Sequence, residues 1–140
     1  MIPAVSPYGL IQESLWPDEW MILVSCMMLN CTTRKQVEKI LPAFMQKWPK
    51  PDLFVNCDID ELKNLIRPLG FSNRRSNALK EMSKAYLAKK WSHANELPGI
   101  GVYASRAWEI FCRGIIGDIP PQDHALVQYY HWRKLNEKNI

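Results

Sequence analysis

Leu97-Pro98-Gly99-Ile100-Gly101-Val102-Tyr103 is the stretch that decides how this chain folds. One apolar residue stands between two glycines, with an apolar residue and a proline before them. Glycine has no Cβ, so its backbone turns sharply and can approach another molecule closely. The spacing predicts two helices joined by a hairpin over Gly99, Ile100 and Gly101. The second helix begins near Tyr103, with the positive end of its dipole and its unpaired N–H groups at the hairpin. Such an end accepts a phosphate. Ala104 and Ser105 keep the first turn small enough for one to come close. A simple turn between helices could use the same residues, so the hairpin gains meaning only from its surroundings.

Helical periodicity runs through nearly all of those surroundings. Asp18 can cap a helix from about 19 to 30, with Trp20, Leu23, Val24, Met27 and Met28 on its apolar stripe. Thr32 or Thr33 can cap the next, in which Val37, Ile40, Leu41 and Phe44 recur before Pro49. Asp58-Ile59-Asp60-Glu61 has the form of a capping box ahead of Leu62, Leu65 and Ile66. Pro68-Leu69-Gly70 ends that helix, and Ser72 opens a longer one through Leu87. A last helix is expected from about Asp123 to Asn136. No period-two alternation survives, and residues 115–119 are expected to be an extended connector. The expected fold is all-α: a bundle of short helices in a single domain, with the ten prolines at helix boundaries and residues 1–9 as a loose arm.

Composition narrows the class without naming it. Lys and Arg outnumber Asp and Glu by 18 to 14, a net charge of +4 that permits a polyanionic partner and does not require one. No run of eighteen apolar residues is present to cross a membrane, and no segment has the form of a signal peptide. Cys26, Cys31, Cys57 and Cys112 lack the paired spacing of a zinc or iron–sulfur site. They are expected to be reduced thiols of an intracellular protein that needs no metal or other cofactor.

Several residues could carry chemistry. Asp123 follows a Gly- and Pro-rich loop and stands at a helix start. A carboxylate there can be an ordinary cap. It can equally stabilise the positive charge that builds on a sugar as its glycosidic bond breaks, or orient the attacking water. Asp118 is a rival acid in the same loop, and His124 is the only histidine near either. Gln12 offers both a donor and an acceptor to the edge of an extruded base. Arg74 and Arg75 follow the Pro68-Leu69-Gly70-Phe71 turn. An apolar tip beside paired arginines is what a wedge into a base stack needs. The alternative for Phe71 is a staple packed on the following helix. The other basic pairs, Arg34-Lys35, Lys89-Lys90 and Arg133-Lys134, fit solvated helix faces.

With these residues assembled, the chain resembles the helix-hairpin-helix DNA glycosylase superfamily. Within it, the resemblance is to mismatch-specific thymine/uracil glycosylases that carry a methyl-CpG-binding domain. It extends from about Tyr8 to Leu135, through Leu10-Ile11-Gln12-Glu13, Leu29-Asn30-x-Thr32, Pro68-Leu69-Gly70, Gly99-Ile100-Gly101-x-Tyr103, Ile110-Phe111-Cys112 and Asp123-His124-x-Leu126. The resemblance implies a monomeric, nuclear base excision repair enzyme that flips thymine or uracil out of mismatched double-stranded DNA. It implies Asp123 as the catalytic acid and Gln12 and Tyr103 as contacts to the extruded pyrimidine. Gly99, Ile100 and Gly101, with Arg74 and Arg75, would hold the DNA backbone, and Phe71 would be the wedge. Bifunctional relatives have a catalytic Lys where Tyr103 stands, so a monofunctional enzyme is expected. Two positions depart from the pattern. Cys31 replaces a gap-filling Arg, for which Arg34 is the candidate substitute, and Ala125 replaces a basic residue. These 140 residues contain no methyl-CpG-binding domain, so the expectation is a catalytic portion of a longer protein.

Overall fold

The computed structural model describes residues 6–117, 120–121 and 123–136. Among them are eight α-helices and no strand: α1 (Ile11–Leu15), α2 (Glu19–Leu29), α3 (Arg34–Lys47), α4 (Pro51–Phe54), α5 (Ile59–Ile66), α6 (Ser72–Ala88), α7 (Val102–Cys112) and α8 (His124–Leu135). None is long and apolar enough to cross a membrane. The expected all-α class is what the chain adopts.

α2 is the axle of the fold. Residues Trp20 through Met28 are all buried, so this helix has no solvent face, as its apolar sequence requires. Asp18 caps it by accepting from the Met21 N–H at 3.0 Å. α1, α3, α6 and α7 pack around it. On one side Trp20, Phe44, Trp48 and Phe54 form an aromatic cluster with ring centroids 5.2–6.1 Å apart. Trp20 still satisfies its indole N–H, at the Ser83 hydroxyl 2.9 Å away. On the other side Trp108 of α7 packs in the core and donates to Glu19 at 2.8 Å. Both indoles are therefore buried with their one donor paired, as buried Trp requires.

Local chemistry explains where the expected pattern and the fold part company. α1 and α4 are one-turn helices, too short to show periodicity. Pro42 sits inside α3 rather than at a boundary. The tightly capped start of α3, where Thr33 and Gln36 complete a capping box, helps a helix with one missing N–H to persist. The box expected at Asp58 does not form. Asp58 accepts from the Asp60 N–H, while Glu61 turns away to pair with Lys47. The expected loose arm is anchored from Ser6 onward. Glu13 accepts from the Ser6 N–H and hydroxyl and from the Leu10 N–H, at 2.6, 2.9 and 2.6 Å. Residues 118 and 119 of the expected connector lie outside the described residues.

Candidate active site

The hairpin is built as its glycines predict, with one exception. Gly99 has φ +79°, a conformation that favours glycine, and a Cβ there would stand 2.9 Å from the Met27 methyl, which would have to shift. A Cβ at Gly101 would meet nothing within 4 Å, so that face is open. Ile100 is turned inward into the core, and its N–H already donates to the Leu97 carbonyl at 3.3 Å. It anchors the hairpin and cannot itself offer an N–H to a phosphate, which corrects its expected role. The free donors lie one step on. Ser105 N–H makes the first bond of α7, to the Gly101 carbonyl at 3.0 Å, leaving the first-turn N–H groups pointing out.

Behind the hairpin, α7 carries Tyr103 toward α1. Gln12 is 1 % exposed, and its amide donates to the Tyr103 hydroxyl at 2.6 Å and to the Cys26 thiol at 3.4 Å. Three helices thus meet through three polar side chains. Burial pushes the Tyr103 phenol far above its ordinary range, and the Cys26 and Asp123 acids nearby push the same way. Burial likewise pushes the Cys26 thiol up to about 11. At neutral pH both keep their protons. The floor is uncharged and polar, suited to the edge of a neutral heterocycle.

Asp123 closes the far side. It is the N-cap of α8, and its Oδ2 accepts from the Leu126 N–H at 3.0 Å. Oδ1 has no hydrogen-bond partner among the described residues. The capping reading is therefore correct, and it leaves one carboxylate oxygen available. Asp123 is exposed and borders a cavity of 580 Å3 that also contains Gln12, Tyr103, Cys31 and Arg34. On its other side is a cavity of 740 Å3 walled by Tyr103, Arg106 and Pro121. Ala125, exposed beside Asp123, brings no charge to the site. Asp118 and the His124 side chain lie outside the described residues.

A third hollow, of 490 Å3, continues the cleft toward Phe71, Arg74, Gly99 and Gly101, sharing Asn30, Cys31 and Tyr103 with the 580 Å3 cavity. Phe71 is 64 % exposed, so the staple alternative is not what forms. The Arg74 guanidinium lies over its ring, 5.6 Å from the centroid. Phe71 and Cys31 both have left-handed backbones, with φ +50° and +61°. Each such non-glycine residue costs about 1–3 kcal/mol that the surrounding structure must offset. Arg34 is exposed and paired with Glu38 on its own helix. Arg75 corrects the expectation most clearly. It is buried with its guanidinium spent on main-chain carbonyls, so it does not reach out to a phosphate. Cys26 is the floor residue that the sequence did not single out. In the chain it is one more member of an apolar run, and only the 3.4 Å contact with Gln12 gives it a place in the site.

A helical fold that places a glycine hairpin beside a cleft containing a carboxylate, an amide and a phenol has the form of the helix-hairpin-helix proteins of base repair. The chain belongs to the HhH-GPD superfamily of base excision DNA repair proteins, whose pattern matches residues 24–137. It is 34 % identical over 137 residues to the methyl-CpG-binding domain protein 4-like protein of Arabidopsis thaliana, covering 98 % of this chain and 31 % of that one. It is also 34 % identical over 93 residues to the thymine-DNA glycosylase of Aeropyrum pernix, covering 61 % of this chain and 42 % of that one. The chain thus spans well under half the length of these relatives. Among solved structures, a thermostable thymine-DNA glycosylase superposes with a TM-score of 0.64 at 26 % identity, over 69 % of this chain and 48 % of that one. An endonuclease III–DNA covalent intermediate shares the fold with a TM-score of 0.67 at 15 % identity, over 89 % of this chain and 62 % of that one.

Proposed function

We propose that this protein is a monofunctional DNA glycosylase that excises thymine or uracil from G·T and G·U mismatches in double-stranded DNA, acting as a monomer. The observation that carries the reading is the shared cavity, bordered by Asp123 and by the Gln12–Tyr103 pair, beside the glycine hairpin. The first-turn N–H groups of α7 grip the phosphates. Phe71 enters the stack, and the mismatched pyrimidine, which is the cheapest to unpair, swings into the cleft. Gln12 and Tyr103 meet its polar edge. Breaking the C1′–N1 bond leaves positive charge on the sugar and negative charge on the departing base. The Asp123 carboxylate stabilises the first, and the Tyr103 proton can stabilise the second. Water then adds to C1′, and its proton passes to Asp123 or to the base.

Tyr103 has no amine, so it cannot form a Schiff base with the opened sugar. Strand cleavage should therefore require added alkali, and borohydride should trap no covalent enzyme–DNA adduct. Single-turnover incubation with duplexes containing G·T, G·U, A·T and A·U pairs, followed by alkaline cleavage, tests the whole reading. Release from the two mismatches is expected. Binding of every duplex with release from none would reduce the protein to a DNA-binding module, and a trapped adduct in good yield would make it a lyase.

A further inference from the structure

Arg75 lies in the first turn of α6 and is 8 % exposed. Its guanidinium is engaged wholly with main-chain oxygens. Nη1 donates to the carbonyls of Met27, Met28 and Asn30 at 3.0, 3.4 and 3.1 Å. Nη2 donates to Leu69 at 3.3 Å, and Nε to Gly70 at 3.2 Å. One planar fork therefore joins the C-terminal carbonyls of α2 to the turn that precedes α6. Burial lowers its pKa from the ordinary arginine value, because loss of water disfavours the cation.

Two of those carbonyls have a particular meaning. The Asn30 carbonyl belongs to the peptide plane that leads into Cys31, and the Gly70 carbonyl to the plane that leads into Phe71. A peptide unit is rigid, so holding its oxygen fixes the plane about which the next φ is set. Among the described residues only three non-glycine residues have positive φ: Cys31, Phe71 and Lys89. Lys89 ends α6, where a left-handed residue is ordinary. The other two are the opposite rims of one cleft, and one side chain holds the peptide before each.

We propose that Arg75 is a positioning residue that locks the Cys31 and Phe71 rims together, so that they meet a duplex as one rigid unit. This rests on the reading of the cleft as the place where a base is extruded. Lysine cannot take over the task. Its ammonium is a point donor and cannot span carbonyls on both sides of the fork. In its place each strained rim relaxes separately, and the cost falls on opening the duplex rather than on cleaving an already unpaired nucleotide.

The experiment compares uracil release from a G·U duplex with release from single-stranded DNA, in unaltered protein and in Arg75→Lys. The duplex-to-single-strand ratio should fall about tenfold, the scale on which a small misplacement of positioning groups is felt. Phe71→Ala should lower the ratio in the unaltered background and add little in Arg75→Lys. Cys31→Gly, which removes the left-handed penalty at one rim, should recover part of the loss. Equal losses on both substrates would overturn the proposal in favour of simple structural support. So would an unchanged ratio, or equal Phe71→Ala effects in both backgrounds. If the unaltered protein releases no base at all, the glycosylase reading fails. 2-Aminopurine fluorescence beside the mismatch, which needs no bond cleavage, then tests Arg75 on its own. If Arg75→Lys does not accumulate folded, amide relaxation of Cys31 and Phe71 in the unaltered protein decides: one common exchange rate supports the lock, and unrelated rates overturn it.

Discussion

Gln12, at the floor of the cleft, is almost wholly buried with its amide committed to Tyr103 and Cys26, whereas Phe71, on the rim, offers most of its ring to solvent. The floor uses relaxed helices, and its polar groups answer one another across α1, α2 and α7. The rim uses left-handed backbone and an apolar side chain that the fold does not cover. In the proposed function this difference separates two tasks. Reading a base requires fixed donors in a dry place, which packing supplies. Holding a duplex open requires a group that finds no use within the free protein, and that group is exposed at some cost in strain. Mutations at the floor should therefore disturb stability and function together, and mutations at the rim should disturb function alone.

The largest effect belongs to neither region. Asp123→Asn keeps the cap geometry of α8 but removes the charge that, in the proposed reaction, faces C1′. Base release should fall by at least about 100-fold, the scale for losing a preorganised catalytic group, while duplex binding persists. Single-turnover release alongside an equilibrium titration checks both halves, and near-normal release would remove Asp123 from its role.

The floor and the rim are compared directly by Gln12→Ala and Phe71→Ala. Gln12→Ala strands two buried groups and should lower unfolding free energy by about 1–3 kcal/mol in urea titrations. Phe71→Ala removes an exposed ring, so stability should move by no more than about 0.5 kcal/mol. Its effect should show in weaker mismatch binding and slower release. If Phe71→Ala destabilises as much as Gln12→Ala, the rim is part of the core and the distinction collapses.

Alkaline pH sharpens the floor half of the comparison. The folded-state pKa of Cys26 is raised from 9.0 to about 11. Below pH 9 the thiol is protonated in both states and contributes no slope. Between 9 and about 11 the unfolded chain loses the proton while the folded chain keeps it, so stability falls as pH rises. Cys26→Ala should flatten that part of the profile in unfolding scans from pH 8 to 11. An unaltered slope would show that the thiol is not buried as the structure has it.

The smallest effect is a gain at the rim. Cys31→Arg places a cation where DNA phosphates would pass, without changing the left-handed backbone requirement. Binding to an abasic duplex should tighten a few-fold at low salt, and the slope of log K against log salt should steepen by about one phosphate contact. Titrations at two salt concentrations measure it. Equal affinity at both would place Cys31 away from the DNA.

Much of this was legible along the chain because it is local. Asp18 and Thr33 cap the helices that follow them, and the apolar run of α2 predicts a helix buried on every side. The glycine pair predicts the hairpin, and the positive φ at Gly99 is the local backbone requirement behind it. Asp123 was visible as a cap for the same reason. The exposure of Phe71 was not, because a staple and a wedge have the same residue at the same turn.

What the sequence by itself determined is therefore the six longer helices, most of their caps, and the hairpin that joins two of them, because periodicity, capping and glycine act over a few residues. Only the tertiary structure decided which polar residues work together. Gln12 and Tyr103 are 91 positions apart, and Arg75 reaches back 45 to 48 positions to carbonyls of α2 and its cap. Neither pairing has a local pattern. Arginines 74 and 75 are neighbours in the chain, yet the turn of α6 sends one outward over Phe71 and buries the other beneath both rims. Adjacent residues on a helix point about 100° apart, so packing, and not composition, assigned the two arginines their opposite environments.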